Sequence, residues 1–253
     1  MPSSPWDYIA KLVCIGDSGC GKSSLTIRLC EGRFSPHHDV TIGVEFGSRI
    51  VPVGPPHTKP SSFLSRSSAP AAPEADGLPE PPRDTSKTPQ KHMKLSLWDT
   101  AGQETYKSVT RSYFRGASGA LLVFDLSRKQ TFQHVTDWLS DLRQIAEPDI
   151  VVVLVGNKAD LTQQAENRRE VTREEAEEWA RRNGVLEYVE TSAKSGENVE
   201  QAFMRVAERI YHNIQAGKYD LNDRRSGVKG PSAGGNRQVK LGADRESAGG
   251  GCC

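Results

Sequence analysis

The chain has 253 residues, of which 36% are apolar, and a formal net charge of +1 with an isoelectric point near 7.7. This length fits one domain of ordinary size with additional segments, and the balanced charge gives no electrostatic case for a nucleic-acid partner. No apolar run approaches the roughly 20 residues that span a bilayer, and the N-terminus lacks the long apolar stretch of a secretory signal peptide.

An apolar strand predicted over residues 8–15 leads into the sequence G-D-S-G-C-G-K-S at residues 16–23, and a helix pattern follows over 23–29. This is the pattern G-x-x-x-x-G-K-[ST] in the context of a phosphate-binding loop. Backbone N–H groups of such a loop point at a polyphosphate, and the helix N-terminus adds positive potential. Lys22 is expected at the terminal phosphates, and the Ser23 hydroxyl at Mg²⁺. The residues predicted to bind phosphate through this loop are Ser18, Gly19, Cys20, Gly21, Lys22 and Ser23. The alternative, a chance glycine-rich turn, is disfavoured by the motifs downstream.

Residues 31–40 are polar and predict a mobile loop, and residues 44–51 predict a strand. The segment 52–93 then separates this strand from the next one. Ten of the fifteen prolines of the chain lie in it, among serines and alanines. Such a composition cannot bury enough apolar area to become ordered, so we predict a disordered insert at 52–93. Three interpretations stay open: a genuine disordered loop, a retained intron or gene-model error, and a loop with its own binding role.

The strand that follows the insert ends in D-T-A-G-Q at residues 99–103. A carboxylate at a strand end beside a phosphate loop is suited to the Mg²⁺ shell, and we assign that role to Asp99. Gly102 has no side chain, so its N–H is expected at a terminal phosphate. The amide of Gln103 is suited to orienting an attacking water, which makes Gln103 the candidate catalytic residue.

A buried strand is predicted over 120–124, and an amphipathic helix follows from the spacing of Phe132, Val135, Leu139, Leu142 and Ile145. The next apolar strand, at 151–160, ends in N-K-A-D. Asp160 is suited to accept hydrogen bonds from N1–H and the 2-amino group of guanine, which adenine lacks. Asn157 would support this loop and bind the base edge, and the Lys158 stem would cover one base face.

A charged helix is predicted over 172–183, with Thr172 and Glu175 forming a capping box and Gly184 ending it. The sequence E-T-S-A-K at 190–194 follows another strand and presents the Ala193 N–H and the Lys194 side chain to guanine O6. The residues that these last two motifs assign to guanine are Asn157, Lys158, Asp160, Ser192, Ala193 and Lys194. A final amphipathic helix is expected over 199–214.

Residues 217–253 are rich in Gly, Ser and Asn and predict a flexible tail that spans roughly 30 Å on average. Cys14, Cys20 and Cys30 fit no metal or disulfide spacing, and we interpret them as reduced cytosolic thiols. Strands that alternate with helices imply a mostly parallel sheet covered on both faces. Every nucleotide motif follows a strand end, which is where such sheets bind ligands.

The four motifs together resemble those of the small GTPases of the Ras superfamily, over about residues 8–51 and 94–216. T-I-G-V-E-F at residues 41–46 and Y-F-R-G-A at 113–117 are similar to segments of the Rab family. Longer stretches around them, and I-Y-H-N-I-Q-A-G-K-Y-D-L-N-D at 210–223, resemble the Rab cluster usually numbered two, four and fourteen. The resemblance implies an α/β P-loop GTPase domain with a mostly parallel six-stranded sheet and helices on both faces.

The resemblance also assigns roles to single residues. Thr41 would bind Mg²⁺ and sense the γ-phosphate, and Phe34 would pack against guanine. Residues 31–40 and 105–116 would be the two switches that GTP orders. The surface read by effectors would comprise Ile42, Phe46, Trp98 and Tyr113. Thr105 stands where most Rabs carry Arg, which places the standard exchange-factor and effector contacts in question.

The adjacent terminal cysteines Cys252 and Cys253 resemble the double-geranylgeranylation signal of Rabs, and two lipids give stable attachment to a membrane. The partners implied are an exchange factor, a GTPase-activating protein, a GDP-dissociation inhibitor, Rab escort protein with prenyl transferase, and effectors. The chain is expected to be a monomer that carries GTP or GDP with Mg²⁺. Its expected location is the cytoplasmic face of Golgi or endosomal membranes, with cycling through the cytosol.

In the family, a tight hairpin stands where this chain has the insert, so a second hypothesis remains. The insert, tethered to both switches, could leave a nucleotide-loaded binding scaffold with impaired hydrolysis. The intact Gln103 argues against that alternative. A third interpretation, a nuclear Ras-like carrier, is opposed by the two terminal cysteines.

Overall fold

The computed structural model describes the chain at residues 5–36, 41–56, 89–102, 111–163, 167–221 and 227–230. Several predicted features lie outside these residues: the catalytic candidate Gln103, Thr105, parts of both predicted switches, most of the insert, and the end of the tail with Cys252 and Cys253. Among the described helices, none combines the length and the apolar character that a membrane crossing requires.

A single sheet forms the centre of the fold. Its strands are β1 Tyr8–Ile15, β2 Val44–Val53, β3 Lys91–Thr100, β4 Gly119–Asp125, β5 Val151–Asn157, β6 Glu187–Glu190 and β7 Val228–Lys229. The spatial order is β2-β3-β1-β4-β5-β6, and β7 pairs with β1 off this path. Only β2 and β7 run antiparallel to their neighbours, which confirms the predicted α/β fold with a mostly parallel sheet.

Helices cover both faces of this sheet. They are α1 Lys22–Glu31, α2 Lys129–Gln133, α3 Val135–Ile145, α4 Arg173–Arg182 and α5 Val199–Gln215, with a short 3-10 turn at Ala159–Leu161. One apolar core lies between the sheet and α1 with α5, and the other lies between the sheet and α3 with α4. All seven residues of β4 and of β5 are buried, as expected for central strands covered on both faces.

The predicted start and end of α4 agree with the structure. The Thr172 hydroxyl accepts a hydrogen bond from the backbone N–H of Glu175 at 3.2 Å, so one of the orphan donors of the first turn is satisfied. Asn183 follows the last helical residue, and Gly184 has a φ of 61°, the left-handed conformation that ends many helices.

The β2–β3 hairpin is longer than the sequence predicted. Val44 pairs with Thr100 at one end and Val53 with Lys91 at the other, whereas the predicted strands stopped at residue 51 and resumed at 94. Val53 is fully buried against the core formed with α5, and this burial explains why the outer residues stay paired. Within the predicted insert, residues 52–56 and 89–93 therefore belong to the folded domain.

The sheet has seven strands among the described residues, not the predicted six. The additional strand, β7, lies inside the segment 217–253 that the sequence predicted as a flexible tail. Ile9 pairs with Lys229 and Ala10 with Val228, and Val228 is fully buried in the core beside α5. A short apolar contact thus orders part of a segment whose overall composition is typical of a linker.

Candidate functional site

A cavity of about 490 Å³ lies at the carboxyl ends of β1, β3 and β5, the edge at which parallel sheets of this kind bind ligands. It is lined by residues from all four nucleotide motifs. The predicted site residues that line it are Ser18, Gly19, Gly21, Lys22, Ser23, Phe34, Thr41, Gly102, Asn157, Lys158, Asp160, Ala193 and Lys194. Residues far apart in the chain are therefore brought to one place by the strand order.

The phosphate loop has little room for side chains. Gly21 has a φ of 90°, and a Cβ there would lie 2.3 Å from the amide nitrogen of Asn157, so only glycine fits. Lys22 is buried, and its ammonium donates hydrogen bonds to the carbonyls of Gly16 and Asp17 at 2.9 Å. Burial lowers the pKa of Lys22 below its ordinary value. The loop thus encloses a desolvated positive charge, which is suited to a phosphate.

Trp138 of α3 and His134, which directly precedes α3, contact the loop from outside, a support that sequence reasoning missed. The Asp17 carboxylate accepts a hydrogen bond from Trp138 Nε1 at 2.8 Å and lies 2.7 Å from His134 Nδ1. Asp17 occupies a variable position of the loop motif, and the sequence analysis did not single out Trp138. No local pattern in the sequence connects the two.

The three oxygen-bearing side chains to which the sequence assigned Mg²⁺ meet beside the loop. The hydroxyls of Ser23 and Thr41 lie 2.9 Å apart, and the Thr41 hydroxyl donates to Asp99 Oδ2 at 3.5 Å. Two hydroxyls and one carboxylate, grouped in this way and largely buried, form a hard donor set that fits Mg²⁺. The structure therefore brings together all three residues that the sequence assigned to the metal.

Gly102 lies against the phosphate loop, as the sequence predicted for the end of β3. Its carbonyl accepts a hydrogen bond from the backbone N–H of Ser18 at 3.0 Å. The predicted role of its own N–H at a terminal phosphate stays a prediction. Gln103, the next residue, lies outside the described residues.

The guanine motifs form a connected set of hydrogen bonds. The Ser192 hydroxyl donates to Asp160 Oδ1 at 2.6 Å, so Ser192 orients the carboxylate that the sequence assigned to base recognition. Asn157 donates to the Cys20 carbonyl at 2.8 Å and accepts from the Ala193 N–H at 3.2 Å. Asn157 therefore ties the guanine loop to the phosphate loop, and in this structure the Ala193 N–H points to it.

The comparison with known protein families agrees with this geometry. Residues 11–59 and 80–212 match the model of the family described as the Ras family, which is well over half of the 253-residue chain. The chain belongs to the Ras family. It is therefore a small GTPase that binds GTP and GDP and hydrolyses GTP. The match to the Ras family is interrupted inside the proline-rich insert, between residues 59 and 80.

The predicted effector residues of this Ras-family protein lie on one surface. Phe46 and Trp98 pack edge to face with ring centroids 4.5 Å apart, and Trp98 and Tyr113 are 5.4 Å apart. Ile42 is 78% exposed and Phe46 is 66% exposed. Large exposed apolar side chains of this kind mark contact surfaces for other molecules. Trp98 is thus in contact with both other rings of this aromatic triad of Phe46, Trp98 and Tyr113, and recognition of the triad by effectors stays a prediction.

A few predicted residues of this Ras-family site do not line the cavity. Cys20 is fully buried, and burial raises the pKa of its thiol above the ordinary value; it contributes through its backbone. Asp99 is hydrogen-bonded to Thr41, and Ser192 to Asp160, and these two partners line the cavity. The lining residues that sequence reasoning missed are Ser24, Ser35, Pro36, Thr100 and Leu161. Each of them adjoins or lies close to a motif, so a wider window around every motif would have included them.

Proposed function

We propose that this protein is a Rab-type switch that regulates vesicle-mediated traffic at Golgi or endosomal membranes. The observation that supports this most strongly is the contact of Trp98 with Phe46 and Tyr113, together with the exposure of Phe46 and Ile42. It agrees with the Rab-like sequences around Phe46 and Tyr113. A partner that binds this surface would contact both strands of the hairpin, β2 through Phe46 and β3 through Trp98. Both strands adjoin the nucleotide cavity.

In this proposal, the residues of the site have separate roles in the switch. Ser23, Thr41 and Asp99 would hold Mg²⁺, which when bound neutralises phosphate charge. Thr41 is joined to Ser23 by a hydrogen bond, so the segment around Ile42 is connected to the phosphate end of the cavity. Gln103 would orient the attacking water. GTP would then order both switches, and hydrolysis would release them.

The remaining parts of the proposal concern the membrane and the partners. Cys252 and Cys253 would each carry a geranylgeranyl group, added with Rab escort protein and prenyl transferase. A GDP-dissociation inhibitor would extract the GDP form to the cytosol. An exchange factor would load GTP, and a GTPase-activating protein would accelerate the slow hydrolysis, in the manner of small GTPases with no internal arginine finger.

In vitro prenylation of the full chain tests the Rab assignment. We expect two geranylgeranyl groups to be added only when Rab escort protein is present, and one group in the Cys253→Ser variant, measured by intact mass. Prenylation without the escort protein would place the chain in another branch of the superfamily. Imaging of the tagged full chain against Golgi and endosome markers then tests the location, and a nuclear or plasma-membrane signal would contradict it.

Recruitment of effectors is tested with the triad itself. GTP-loaded full chain should retain known Rab effectors on beads, and Phe46→Ala should weaken retention about tenfold or more, since exposed aromatic anchors dominate interface energies. Ile50→Ala is the matched control, because Ile50 is the third exposed large apolar side chain on the same hairpin. Equal loss in both variants would contradict the special role of the triad.

A further inference from the structure

Asp125 is a buried carboxylate that no motif of the sequence singled out. It is the last residue of β4 and is only 1% exposed, and it does not line the nucleotide cavity. Its strand neighbour on β5 is Asn157, the first residue of the guanine loop. A charge in such a place requires compensation, so its contacts indicate what it does.

Both oxygens of the Asp125 carboxylate are fully engaged. Oδ1 accepts hydrogen bonds from the N–H and the hydroxyl of Ser127 at 2.9 and 2.7 Å. Oδ2 lies 2.8 Å from the Lys158 ammonium and accepts from Arg128 Nε at 3.0 Å. Burial alone would raise the pKa of Asp125, but the hydrogen bonds from Lys158 and Ser127 outweigh it and lower the pKa. The carboxylate is therefore anionic and joins two cations.

The first cation leads to the base side of the cavity. Lys158 lines the cavity next to the base-recognition residue Asp160, and its backbone has a left-handed φ of 69°. A long lysine side chain has several rotamers, and an anchored ammonium selects among them. With the ammonium fixed on Asp125, the aliphatic stem of Lys158 is held at the place where the sequence predicted it to cover guanine.

The second cation leads to the phosphate side. Arg128 donates through Nη2 to the carbonyl of Ser18 at 3.1 Å, and the same nitrogen lies 3.8 Å from Cys20 Sγ. Arg128 thus contacts the outer side of the phosphate loop through Nη2, while its Nε donates a hydrogen bond to Asp125. A second side-chain link between the two loops is the bond from Asn157 to the Cys20 carbonyl at 2.8 Å.

We propose that Asp125 is a positioning residue that couples the guanine loop to the phosphate loop and thereby sets how fast the nucleotide leaves. Release requires the base and phosphate contacts to break, and the shared carboxylate makes each loop stabilise the other. The proposal rests on guanine-nucleotide binding at this cavity, which also underlies the proposed function. An asparagine at this position would present an amide hydrogen where two cations need acceptors, so both links would weaken together.

The test is the release of fluorescent GDP from the full chain after addition of excess GDP. Asp125→Asn should release GDP about tenfold faster, because charge-assisted hydrogen bonds on both arms are weakened. The matched control is Asp7→Asn, whose carboxylate has a similar pair of contacts, with Lys91 Nζ at 2.8 Å and the His92 N–H at 2.9 Å. Asp7 lies at the opposite end of the sheet, so its release rate should match that of the wild type.

The release rate constant separates positioning from simple damage to the fold. A variant that merely unfolds in part loses binding amplitude, whereas the molecules that remain bound keep the wild-type rate. Arg128→Ala supplies a second variant, expected to fold because the Arg128 side chain is 47% exposed, and it should also speed release. In the double variant with Asp125→Asn, Arg128→Ala should increase the release rate much less than it does alone, since the effects of contacting residues are not additive.

Each outcome decides one point. A release rate of Asp125→Asn within about twofold of wild type would overturn the coupling role. Fully additive effects in the double variant would also overturn it, because residues that share no contact act additively. Failure of the wild-type chain to bind fluorescent GDP at all would instead contradict the guanine-nucleotide function itself. The two failures are therefore distinguishable in one set of measurements.

Discussion

Asp160 shows how much of base selectivity depends on a single carboxylate. It lines the cavity, and the Ser192 hydroxyl holds its Oδ1 at 2.6 Å. Replacement by asparagine exchanges an acceptor for a donor, so the variant should bind xanthine nucleotides in place of guanine nucleotides. Guanine affinity should fall by roughly 10⁴, the discrimination typical of sites built on hydrogen bonds. Competition of XDP and GDP against a fluorescent nucleotide measures both changes.

The control for this exchange is Ser192→Ala. It removes the orienting hydroxyl but keeps the carboxylate, so it should weaken guanine binding without creating a preference for xanthine. Unchanged preference for guanine in Asp160→Asn would contradict the role of Asp160. Preference for xanthine in both variants would point to a different group as the reader of the base.

Contacts between residues close in sequence could be predicted, and contacts between distant residues could not. The residues from 18 to 23 carry their chemistry in one contiguous pattern, and the structure places that loop as expected. The bond from Trp138 to Asp17 joins residues 121 positions apart. Asp125 likewise contacts a distant partner, Lys158, besides its sequence neighbours Ser127 and Arg128. No single sequence encodes such a pairing in its local pattern, because the strand order creates it.

At the scale of single elements, α4 depends on its N-cap. The helix is strongly charged, with few buried residues, so its first turn depends on the bond from the Glu175 N–H to the Thr172 hydroxyl. Thr172→Ala should lower the free energy of unfolding by about 1 kcal/mol. Thr172→Ser keeps the hydroxyl and should lie close to wild type. Chemical denaturation of the GDP-bound chain measures the difference, and equal values for the two variants would rule out the cap as a source of stability.

The strand β7 shows where composition misleads. The tail is rich in glycine and serine, yet Gly227 accepts a hydrogen bond from the Lys11 N–H at 2.9 Å. A Cβ on Gly227 would lie 2.0 Å from the Gly116 carbonyl oxygen, so glycine is needed here for close approach and not for flexibility. β4 begins opposite Leu12, and β7 therefore pairs with the part of β1 that β4 does not reach. A motif of two or three residues is too short for periodicity to reveal.

Removal of the buried side chain should loosen this strand. Val228→Ala should destabilise the chain by about 1–2 kcal/mol through lost apolar burial, and hydrogen exchange at the Lys11 amide should become faster. Lys229→Ala is the matched control, since Lys229 is exposed on the same strand. Hydrogen exchange with mass spectrometry measures the protection of the Lys11 amide in both variants. Identical protection at Lys11 in both variants would mean that β7 is held by contacts other than Val228.

On the scale of the whole molecule, the described hairpin meets the nucleotide cavity at one end and joins the insert at the other. β2 and β3 meet the cavity near Thr41 and Thr100 and carry the insert beyond Val53 and Lys91. The far end is anchored to the domain: Glu208 of α5 is buried, and both of its carboxylate oxygens accept from the Gly54 N–H at 3.2 Å. The end of the hairpin that joins the insert is therefore fixed to α5, away from the nucleotide cavity.

Additional contacts close the same end of the hairpin. Gln90 donates through Nε2 to the Val53 carbonyl at 2.9 Å, and the Lys91 ammonium lies 2.8 Å from Asp7 Oδ1. Residues on each side of the insert are thus fixed to one another and to the domain before the insert begins. Among the described residues, the two positions at which the segment 57–88 joins the domain are separated from Thr41 by these contacts and by the whole length of the hairpin. This arrangement favours the switch over the scaffold hypothesis.

We therefore expect a chain in which residues 57–88 are replaced by a tight turn to hydrolyse GTP at nearly the rate of the full chain. The two single-turnover rates should agree within about twofold. The reason is that the closure entropy of a long loop changes stability by only about 2 kcal/mol and does not act at the cavity. Gln103→Leu in both chain lengths is the control and should stop hydrolysis stimulated by an activating protein. If only the shortened chain hydrolyses GTP, the full chain is a nucleotide-loaded scaffold, and the closed hairpin does not isolate the insert from the switches.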